Sequence, residues 1–238
     1  MAEDDPTVSR ETSAAAEPHV DVSPDVTPVV EAEPPGAAGV FGEHIEAARR
    51  FTADLARYGE PLGLIGPLEA ARLWSRHIIN CAVVAPYLHS GGRVADVGSG
   101  AGLPGLVLAL VRPDVSFTLI EPMERRVDWL RDETARLGLT NVSVLRARAE
   151  EAVDAGPFDQ VTARAVSALS KLIPMTAPLL RPGGELVLLK GARVADEIAA
   201  ASTVLRRHRV SGVEVLELGR GIVPEVTRLF RATVGGAS

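Results

Sequence analysis

A glycine-rich segment at residues 94–105 is the first candidate for chemistry. It reads VADVGSGAGLPG, follows a short apolar run and contains four glycines. Glycine allows sharp turns and a close approach of the backbone to a ligand, and a strand that ends in such a turn is typical of nucleotide sites. The spacing G-x-G-x-x-G from Gly100 fits a dinucleotide fingerprint, whereas D-x-G-x-G-x-G from Asp96 fits an S-adenosylmethionine loop. A tight strand-to-helix turn without a ligand is the third interpretation.

Two side chains and the expected fold favour S-adenosylmethionine over a dinucleotide. Asp96 can bond an ammonium group directly or through water, but it would face negative charge in a pyrophosphate site. Pro104 removes one of the amide donors that a pyrophosphate uses at a helix N-terminus. Glu121 can accept both ribose hydroxyls in either kind of site, so it predicts an adenosine ligand without choosing between the two. The third feature that favours S-adenosylmethionine is the end of the fold, a parallel sheet closed by an antiparallel pair.

Alternating strands and helices must position these residues. Strands are predicted at 93–97, 116–121, 142–146, 158–163, 185–190, 209–218 and 226–234. Helices are predicted at 41–58, 67–88, 103–111, 123–137, 168–180 and 193–207, with a short turn near 149–154. Alternation of this kind predicts an α/β fold with a doubly wound parallel sheet. The last two strands are joined by a short loop and must pair antiparallel, because a parallel return needs a crossover.

Composition and charge narrow the class of protein. Residues 1–40 carry nine acids and one base, whereas the remaining 198 residues carry 24 bases and 22 acids. The bases are almost all arginine, whose planar fork suits phosphate, although codon bias explains most of that count. Cys81 is the single cysteine, which excludes a disulfide framework and a cysteine-rich metal site. The N-terminus lacks a secretory signal and no apolar run reaches the length of a membrane span, so a cytoplasmic, metal-independent protein without a membrane partner is expected.

Five segments together resemble a known family. They read DVGSGAGLPGLVLAL, RHIINCAVVAPYL, RARAEE, FDQVTARAVSAL and LRPGGELVLLKG. They look like the bacterial small-subunit ribosomal RNA guanine-N7 methyltransferases, also called glucose-inhibited division protein B, over roughly residues 41–234. The resemblance implies the Rossmann-like fold of class I S-adenosylmethionine-dependent methyltransferases. It also implies S-adenosylmethionine as the cofactor and 16S rRNA of the small ribosomal subunit as the partner, and a monomer is expected.

The domain organisation follows from these patterns. Residues 1–39 are poor in large apolar side chains and are predicted to be a disordered acidic tail. Residues 40–90 are expected to form an N-terminal helical segment and residues 91–238 the methyltransferase domain, with 40–238 as one folded unit. The sequence departs from the family at Ile79-Asn80-Cys81, where many members carry Leu-Asp-Ser, and at the LGLIG segment before the second helix.

The loop pattern and the resemblance together assign roles to individual residues. The expected cofactor-binding residues are Asp96, Gly98, Gly100, Gly102, Leu103, Glu121, Ala149, Glu150 and Arg164. The expected catalytic residues are Arg164 and His77. The expected RNA-binding residues are Arg125, Arg126, Arg148, Lys190 and Arg228.

Purely structural roles stand beside several of these assignments. Arg164 could close the sheet edge through a salt bridge to Asp159 or Glu150 instead of positioning the guanine. His77 could be a structural or an ordinary surface histidine instead of an RNA contact. The cations at 125–126 begin a helix, where the helix dipole does not favour them. They could serve RNA phosphate or pair with neighbouring acids of the same helix.

Three other functions remain open from the residues. The chain could methylate a small molecule or a protein, with the N-terminal helices as a lid over the substrate. It could be a non-catalytic nucleotide-binding or RNA-binding module, although the intact acids and glycines of the loop argue against a decayed cofactor site. It could also be an oxidoreductase, which titration with S-adenosylhomocysteine against NADH would separate.

Overall fold

The computed structural model describes residues 30–235 and centres on one seven-stranded sheet. The strands are β1 (Arg93–Val97), β2 (Ser116–Ile120), β3 (Val142–Leu145), β4 (Phe158–Arg164), β5 (Leu180–Lys190), β6 (Val210–Leu218) and β7 (Thr227–Val234). The α-helices are α1 (Ala37–Phe41), α2 (Ile45–Tyr58), α3 (Asn80–Ala82), α4 (Gly105–Val111), α5 (Glu124–Arg136), α6 (Leu169–Thr176), α7 (Val194–Ala200) and α8 (Ser202–Arg207). A π-helix spans Leu73–Ile79, and short 3-10 turns lie at Gly42–His44, Ala70–Arg72, Ala85–Tyr87, Ala149–Glu151, Val153–Ala155 and Ala177–Leu179.

The order of the strands brings the candidate residues to one edge of the sheet. The order is β3-β2-β1-β4-β5-β7-β6. Strands β1 to β5 pair in parallel, whereas β7 pairs antiparallel with both β5 and β6. The prediction of a doubly wound parallel sheet with an antiparallel C-terminal pair is therefore confirmed. The chain order reverses between β1 and β4, and ligands of such sheets bind at the carboxyl ends of the strands at that point.

Two apolar layers cover the two faces of this sheet. Helices α1, α2 and α4 and the π-helix pack on one face, with Phe51, Leu73 and Leu106 fully buried among them. Helix α6 packs on the other face, where Leu172 meets a layer that includes Phe230 of β7. Burial on both faces explains why the central strands read as continuous apolar runs. Among residues 30–235, no helix has the length and apolar character needed to cross a membrane.

The N-terminal segment departs from the regular helices that the sequence predicts. The stretch predicted as helix 41–58 is the end of α1, a short turn and α2. The predicted second helix, 67–88, is instead a 3-10 turn, a π-helix, the short α3 and another turn. A π-helix has more residues per turn than an α-helix, and here it buries the consecutive residues His77, Ile78 and Ile79. Packing against the face of the sheet thus overrides the local preference for an α-helix.

Residues that precede the first helix also differ from the expectation. The sequence predicts disorder through residue 39, and residues 1–29 of that tail lie outside the described residues. From residue 31 onward the chain is held: the Glu31 carboxylate accepts the Ser75 N–H at 2.9 Å, and Glu33 accepts two bonds from Arg49 at 2.6 and 2.8 Å. Ala37 is fully buried. The partners of these acids come later in the chain, so the composition of the tail alone did not reveal them.

A buried carboxyl group makes stability depend on pH. Glu133 of α5 is fully buried, and neither carboxylate oxygen has a hydrogen-bond partner among the described residues. Burial, together with the nearby charge of Asp54, raises the pKa of Glu133 to about 8, although Arg136 lies 3.6 Å away. The folded protein therefore keeps a proton that the unfolded chain releases above about pH 4.5. The free energy of unfolding accordingly falls as the pH rises from about 5 to 8.

We expect Glu133→Gln to remove this contribution, because the amide does not ionise. Between pH 5 and pH 8 the variant should lose less stability than the wild type by about 1–3 kcal/mol. Urea unfolding at both pH values measures the difference. Asp128→Asn, which neutralises an exposed acid on the same helix, is the matched control and should follow the wild type. Parallel pH curves for wild type and Glu133→Gln would contradict the assignment.

Candidate active site

The glycine-rich segment forms a tight loop between β1 and α4. Gly98, Gly100 and Gly102 have φ angles of 70°, 55° and 92°, in the left-handed region that glycine tolerates best. A Cβ on Gly98 would lie 2.8 Å from the side chain of Val166. At Gly100 the nearest atom to such a Cβ is 3.7 Å away, so the loop leaves space beside its backbone there. This geometry suits close approach of a nucleotide-like ligand at the carboxyl edge of the sheet.

Asp96 lies beneath the loop. Its side chain is fully buried, and Oδ2 accepts the N–H of Gly105 at 3.1 Å. The other oxygen, Oδ1, is buried without a hydrogen-bond partner among the described residues, and burial raises the pKa of Asp96 to about 7. The carboxyl group thus anchors the start of α4 and retains one unused acceptor. That acceptor is available to a donor group of a ligand, as the sequence predicts for Asp96.

Glu121 connects the end of β2 to the glycine loop. Its side chain is buried, Oε2 accepts the N–H of Gly100 at 3.0 Å, and Oε1 accepts the N–H of Met123 at 3.0 Å. A carboxylate has about four acceptor positions, so each oxygen can accept one further bond. Glu121 is therefore held in place by backbone donors and can still accept two vicinal hydroxyls. The predicted role at a ribose fits this geometry.

Three further expected cofactor contacts flank the loop, and the last, Arg164, lies at the end of β4. Leu103 and Ala149 are buried, and Glu150, at the 3-10 turn after β3, is exposed. They lie after the carboxyl ends of β1 and β3, on either side of Glu121. An adenosine whose ribose is held at Glu121 would extend toward the turn after β3, which is where the sequence predicts the adenine contact.

Sequence reasoning missed Trp129. This residue of α5 is buried, and its indole N–H donates to the carbonyl of Ala101 at 3.0 Å. The contact ties helix α5 to the glycine loop across the ligand edge. A buried tryptophan usually finds a hydrogen-bond partner, but nothing in the sequence identifies a loop carbonyl as that partner.

Arg164, His77 and Glu69 form a hydrogen-bonded chain at the end of β4. The Arg164 guanidinium donates from Nη2 to His77 Nδ1, and from Nη1 to the carbonyl of Arg76 at 3.1 Å. On the other side of the ring, His77 Nε2 lies 2.5 Å from Glu69 Oε2. Cys81 Sγ lies 3.6 Å from the same guanidinium. The structure therefore joins the two residues predicted to be catalytic and adds Glu69, which sequence reasoning missed.

The alternative partners considered for Arg164 are wrong. Asp159 instead accepts hydrogen bonds from the backbone of Arg93 and from the side chain of Arg181, at the opposite edge of the sheet. Glu150 forms no ion pair with Arg164 among the described residues. His77 is buried, so it is not a surface histidine. Burial and the nearby Arg164 charge lower its pKa to about 4, so the ring is neutral at physiological pH.

The residue after Arg164 has a strained backbone. Ala165 has a φ angle of 55°, which is uncommon for a residue with a Cβ. Strain of this kind costs on the order of 1–3 kcal/mol and persists where the surroundings enforce it. It lets the chain turn at the end of β4 and places Val166 over Gly98. Arg164 and the glycine loop are thus held together at the switch point of the sheet.

The five residues predicted to bind RNA fall into two groups. Arg125 and Arg148 are exposed and form no ion pair within residues 30–235. Lys190 Nζ is nearly buried, 2.7 Å from Glu197 and 2.9 Å from the carbonyl of Ser167. The other two, Arg126 and Arg228, each lie close to one acidic side chain.

The partly exposed members of the second group are Arg126 and Arg228. Arg126 lies 3.9 Å from Glu121, and Arg228 lies 3.2 Å from Glu217. The neighbouring acids of the same helix that could have paired with 125–126 are Glu124 and Asp128, and they pair instead with Arg146 and Arg131. In the described part of the chain no group of three His, Cys, Asp or Glu side chains could hold a metal ion.

A seven-stranded sheet of this order, with a glycine loop after β1 and a carboxylate after β2, is the Rossmann-like fold typical of class I methyltransferases. Solved structures agree on the fold. An S-adenosylmethionine-dependent O-methyltransferase from Thermotoga maritima superposes with a TM-score of 0.51 at 18% identity, covering 70% of this chain and 69% of that one. A predicted O-methyltransferase from Agrobacterium tumefaciens gives 0.51 at 24% identity, covering 65% and 80%.

Sequence comparisons identify the family within this class. Residues 44–224 match the family described as rRNA small subunit methyltransferase G. The relative named ribosomal RNA small subunit methyltransferase G in Leifsonia xyli is 62% identical over 88% of this chain and its own full length. The relative of the same name in Clavibacter sepedonicus is 61% identical over 86% of this chain and 97% of its length. The chain belongs to the rRNA small subunit methyltransferase G family, and the resemblance seen in the sequence is confirmed.

Proposed function

We propose that the protein transfers a methyl group from S-adenosylmethionine to N7 of a guanine in 16S rRNA. The observation that carries the choice of N7 is that His77 and Lys190, two side chains near Arg164 that could act as a general base, are already hydrogen-bonded. Both ring nitrogens of His77 have partners, and Lys190 is paired with Glu197. Guanine N7 has a lone pair and no proton, so a nucleophile of this kind needs no general base. Catalysis then rests on proximity and orientation, which can supply most of the acceleration.

The residues at the edge fit S-adenosylmethionine. The loop leaves room for close approach at Gly100, Glu121 has acceptors left for two hydroxyls, and Asp96 has an unused buried oxygen. When bound, S-adenosylmethionine supplies an electrophilic methyl group on a sulfonium. Val166 packs over Gly98 at one end of this loop.

Arg164 holds the guanine in this proposal. Arginine can bond O6 and N7 of guanine together, but N7 must stay free to attack, so Arg164 contacts O6 alone. The product ring gains positive charge, so an arginine does not help by charge and acts through position. The contacts of Arg164 with His77 and the Arg76 carbonyl set the direction from which its remaining N–H groups face the substrate.

The RNA reaches this site across a rim of exposed cations. The rim consists of Arg125, Arg148, Lys171 and Arg193, which follow the carboxyl ends of β2, β3, β4 and β5, respectively. None of the four forms an ion pair within the described range. Phosphate contacts of this kind position RNA around a base without reading sequence. Lys171 and Arg193 thus join Arg125 and Arg148, whereas Lys190 is committed to Glu197.

Methyl transfer from radiolabelled S-adenosylmethionine to small ribosomal subunits that lack the modification tests the function. The labelled nucleoside is identified after digestion, with bare 16S rRNA as a second substrate. Label in 7-methylguanosine supports the proposal. Label in another nucleoside, or none on either substrate while S-adenosylhomocysteine still binds, would refute it. A monomeric cytoplasmic enzyme is expected, and sedimentation of the purified protein checks the first part.

The rim makes a separate prediction about salt dependence. Arg148→Ala with Arg193→Ala should raise KM for the ribosomal substrate roughly tenfold near physiological salt and leave S-adenosylhomocysteine affinity unchanged. The slope of log KM against log salt should fall by about 1 for each arginine removed. Steady-state kinetics from 50 to 200 mM salt measure both.

The control for the rim uses cations at the other end of the sheet. Arg206 and Arg207 end α8 just before β6, whose first residue, Val210, pairs with Val234 opposite the amino half of β5. Arg206→Ala with Arg207→Ala removes the same charge and should leave KM and its salt slope unchanged. Equal effects of the two double variants would show that net charge matters and that the rim does not.

A further inference from the structure

We propose that Glu69 is a positioning residue that fixes the His77 ring and, through it, the direction of the Arg164 guanidinium. The inference rests on the proposed role of Arg164 in holding the guanine. Glu69 lies in a loop of the N-terminal segment, outside both the glycine loop and the sheet edge.

The hydrogen-bonding chemistry of the three side chains allows one arrangement. An arginine guanidinium has five donors and no acceptor, and it stays charged. His77 Nδ1 must therefore be the unprotonated nitrogen that accepts the Arg164 bond. The neutral ring then carries its proton on Nε2 and donates it to the Glu69 carboxylate at 2.5 Å. The bond at Nδ1 and the bond at Nε2 require the same tautomer of His77, so the ring cannot flip without losing both bonds.

Glu69 is itself held rigidly enough to serve as the anchor. Its Oε1 accepts a bond from Arg72 at 2.7 Å, and the Nε of Arg76 lies 3.4 Å from Oε2. Its backbone N–H donates to the carbonyl of Gly66 at 3.1 Å. The side chain is about one-fifth exposed, and His77 is buried against it. Glu69 thus fixes the His77 ring relative to the loop, and the ring in turn fixes the Arg164 guanidinium.

The bonds that Arg164 makes without Glu69 do not fix it fully. Its Nη1 reaches the Arg76 carbonyl and the weak acceptor Cys81 Sγ, both on the segment that also carries His77. The remaining bond, from Nη2, ends on a ring whose orientation no second hydrogen bond fixes once its Nε2–H has no acceptor. Small misplacements of a substrate-holding group have large effects on rate. The rate, more than substrate or cofactor affinity, should therefore report the loss of Glu69.

Three variants of the full-length protein test the proposal. Glu69→Ala removes the acceptor, and we expect kcat to fall about 10- to 100-fold while KM and S-adenosylhomocysteine affinity change less than about threefold. Glu69→Gln keeps an acceptor oxygen for Nε2–H and should restore most of kcat. Glu225→Ala removes another acid that pairs with Arg76, at 3.7 Å, without touching His77, and should behave as the wild type.

A spectroscopic measurement makes the test independent of methyl transfer. In the 15N-labelled protein, His77 should show a protonated Nε2, an unprotonated Nδ1 and a slowly exchanging, downfield Nε2–H proton, assigned by its absence in His77→Gln. That proton signal should vanish in Glu69→Ala and return in Glu69→Gln. If the wild type fails to methylate N7 but shows this signal, the proposed function fails and the link from Glu69 to His77 stands.

Three results would overturn the proposal itself. The first is a proton on Nδ1 of wild-type His77. The second is an unchanged kcat in Glu69→Ala in a protein that methylates N7. The third is a Glu69→Gln variant as slow as Glu69→Ala with an intact thermal transition, because that result would make the charge of Glu69, and not its hydrogen bond, responsible.

Discussion

Replacing Arg164 by lysine is expected to lower kcat for methyl transfer about 100-fold or more, with little change in S-adenosylhomocysteine affinity. Lysine keeps the charge but lacks the planar fork of five donors. It cannot bond His77 Nδ1, the Arg76 carbonyl and guanine O6 at the same time from fixed directions. Because the proposed reaction depends on orientation and needs no proton transfer, the loss falls on kcat. Single-turnover methylation of ribosomal subunits and calorimetric titration of S-adenosylhomocysteine measure the two quantities.

A second arginine provides the control for this experiment. Arg181 also makes a directional bond, to Asp159 at 2.6 Å, but at the amino edge of the sheet. Arg181→Lys should therefore leave both quantities near their wild-type values. If Arg164→Lys retained more than about half of kcat, the positioning role of the guanidinium fork would be wrong and a simple charge would suffice.

The residues that the sequence revealed are those whose signals are local. The glycine loop and Glu121 stand at the ends of β1 and β2, so strand periodicity and glycine spacing located them without tertiary information. The antiparallel end of the sheet followed from the short connection between β6 and β7. Arg164 was identified by the family resemblance, and its place at the end of β4, which lies at the ligand edge of a parallel sheet, favoured a functional role over a structural one.

Residues that depend on distant partners were not predictable in the same way. Glu69 precedes His77 by eight residues, and an α-helix over both would not place them together as the 3-10 turn and π-helix do. Lys190 looked like a free cation because its partner Glu197 lies on the helix that follows. Arg228 meets Glu217 across a strand pair. Composition marked these residues as charged, and only the packing showed which charges were already neutralised.

Substitution of Glu121 tests the proposed cofactor site most directly. Glu121→Gln should weaken S-adenosylhomocysteine binding about 10- to 100-fold. The glutamine oxygen can accept one of the two backbone N–H groups that the carboxylate now accepts, from Gly100 and Met123. Its amide group would meet the other as donor against donor. That cost falls on the free and the bound protein alike, whereas binding loses the charged acceptor of the ribose hydroxyls. A hydrogen bond to a charged group is worth about 1.5–3 kcal/mol, and each 1.4 kcal/mol is about tenfold in affinity.

The same substitution disturbs the ligand and the loop together, so the control must separate them. Glu124→Gln neutralises an exposed acid three residues later, which pairs with Arg146, and should leave the affinity unchanged. Thermal unfolding without ligand reports the loop contribution, and the shift produced by saturating S-adenosylhomocysteine reports binding. If Glu121→Gln bound S-adenosylhomocysteine as tightly as the wild type, the ribose would not lie at Glu121. The acid would then be a brace for the glycine loop alone, and the adenosine would have to be placed elsewhere along the carboxyl edge.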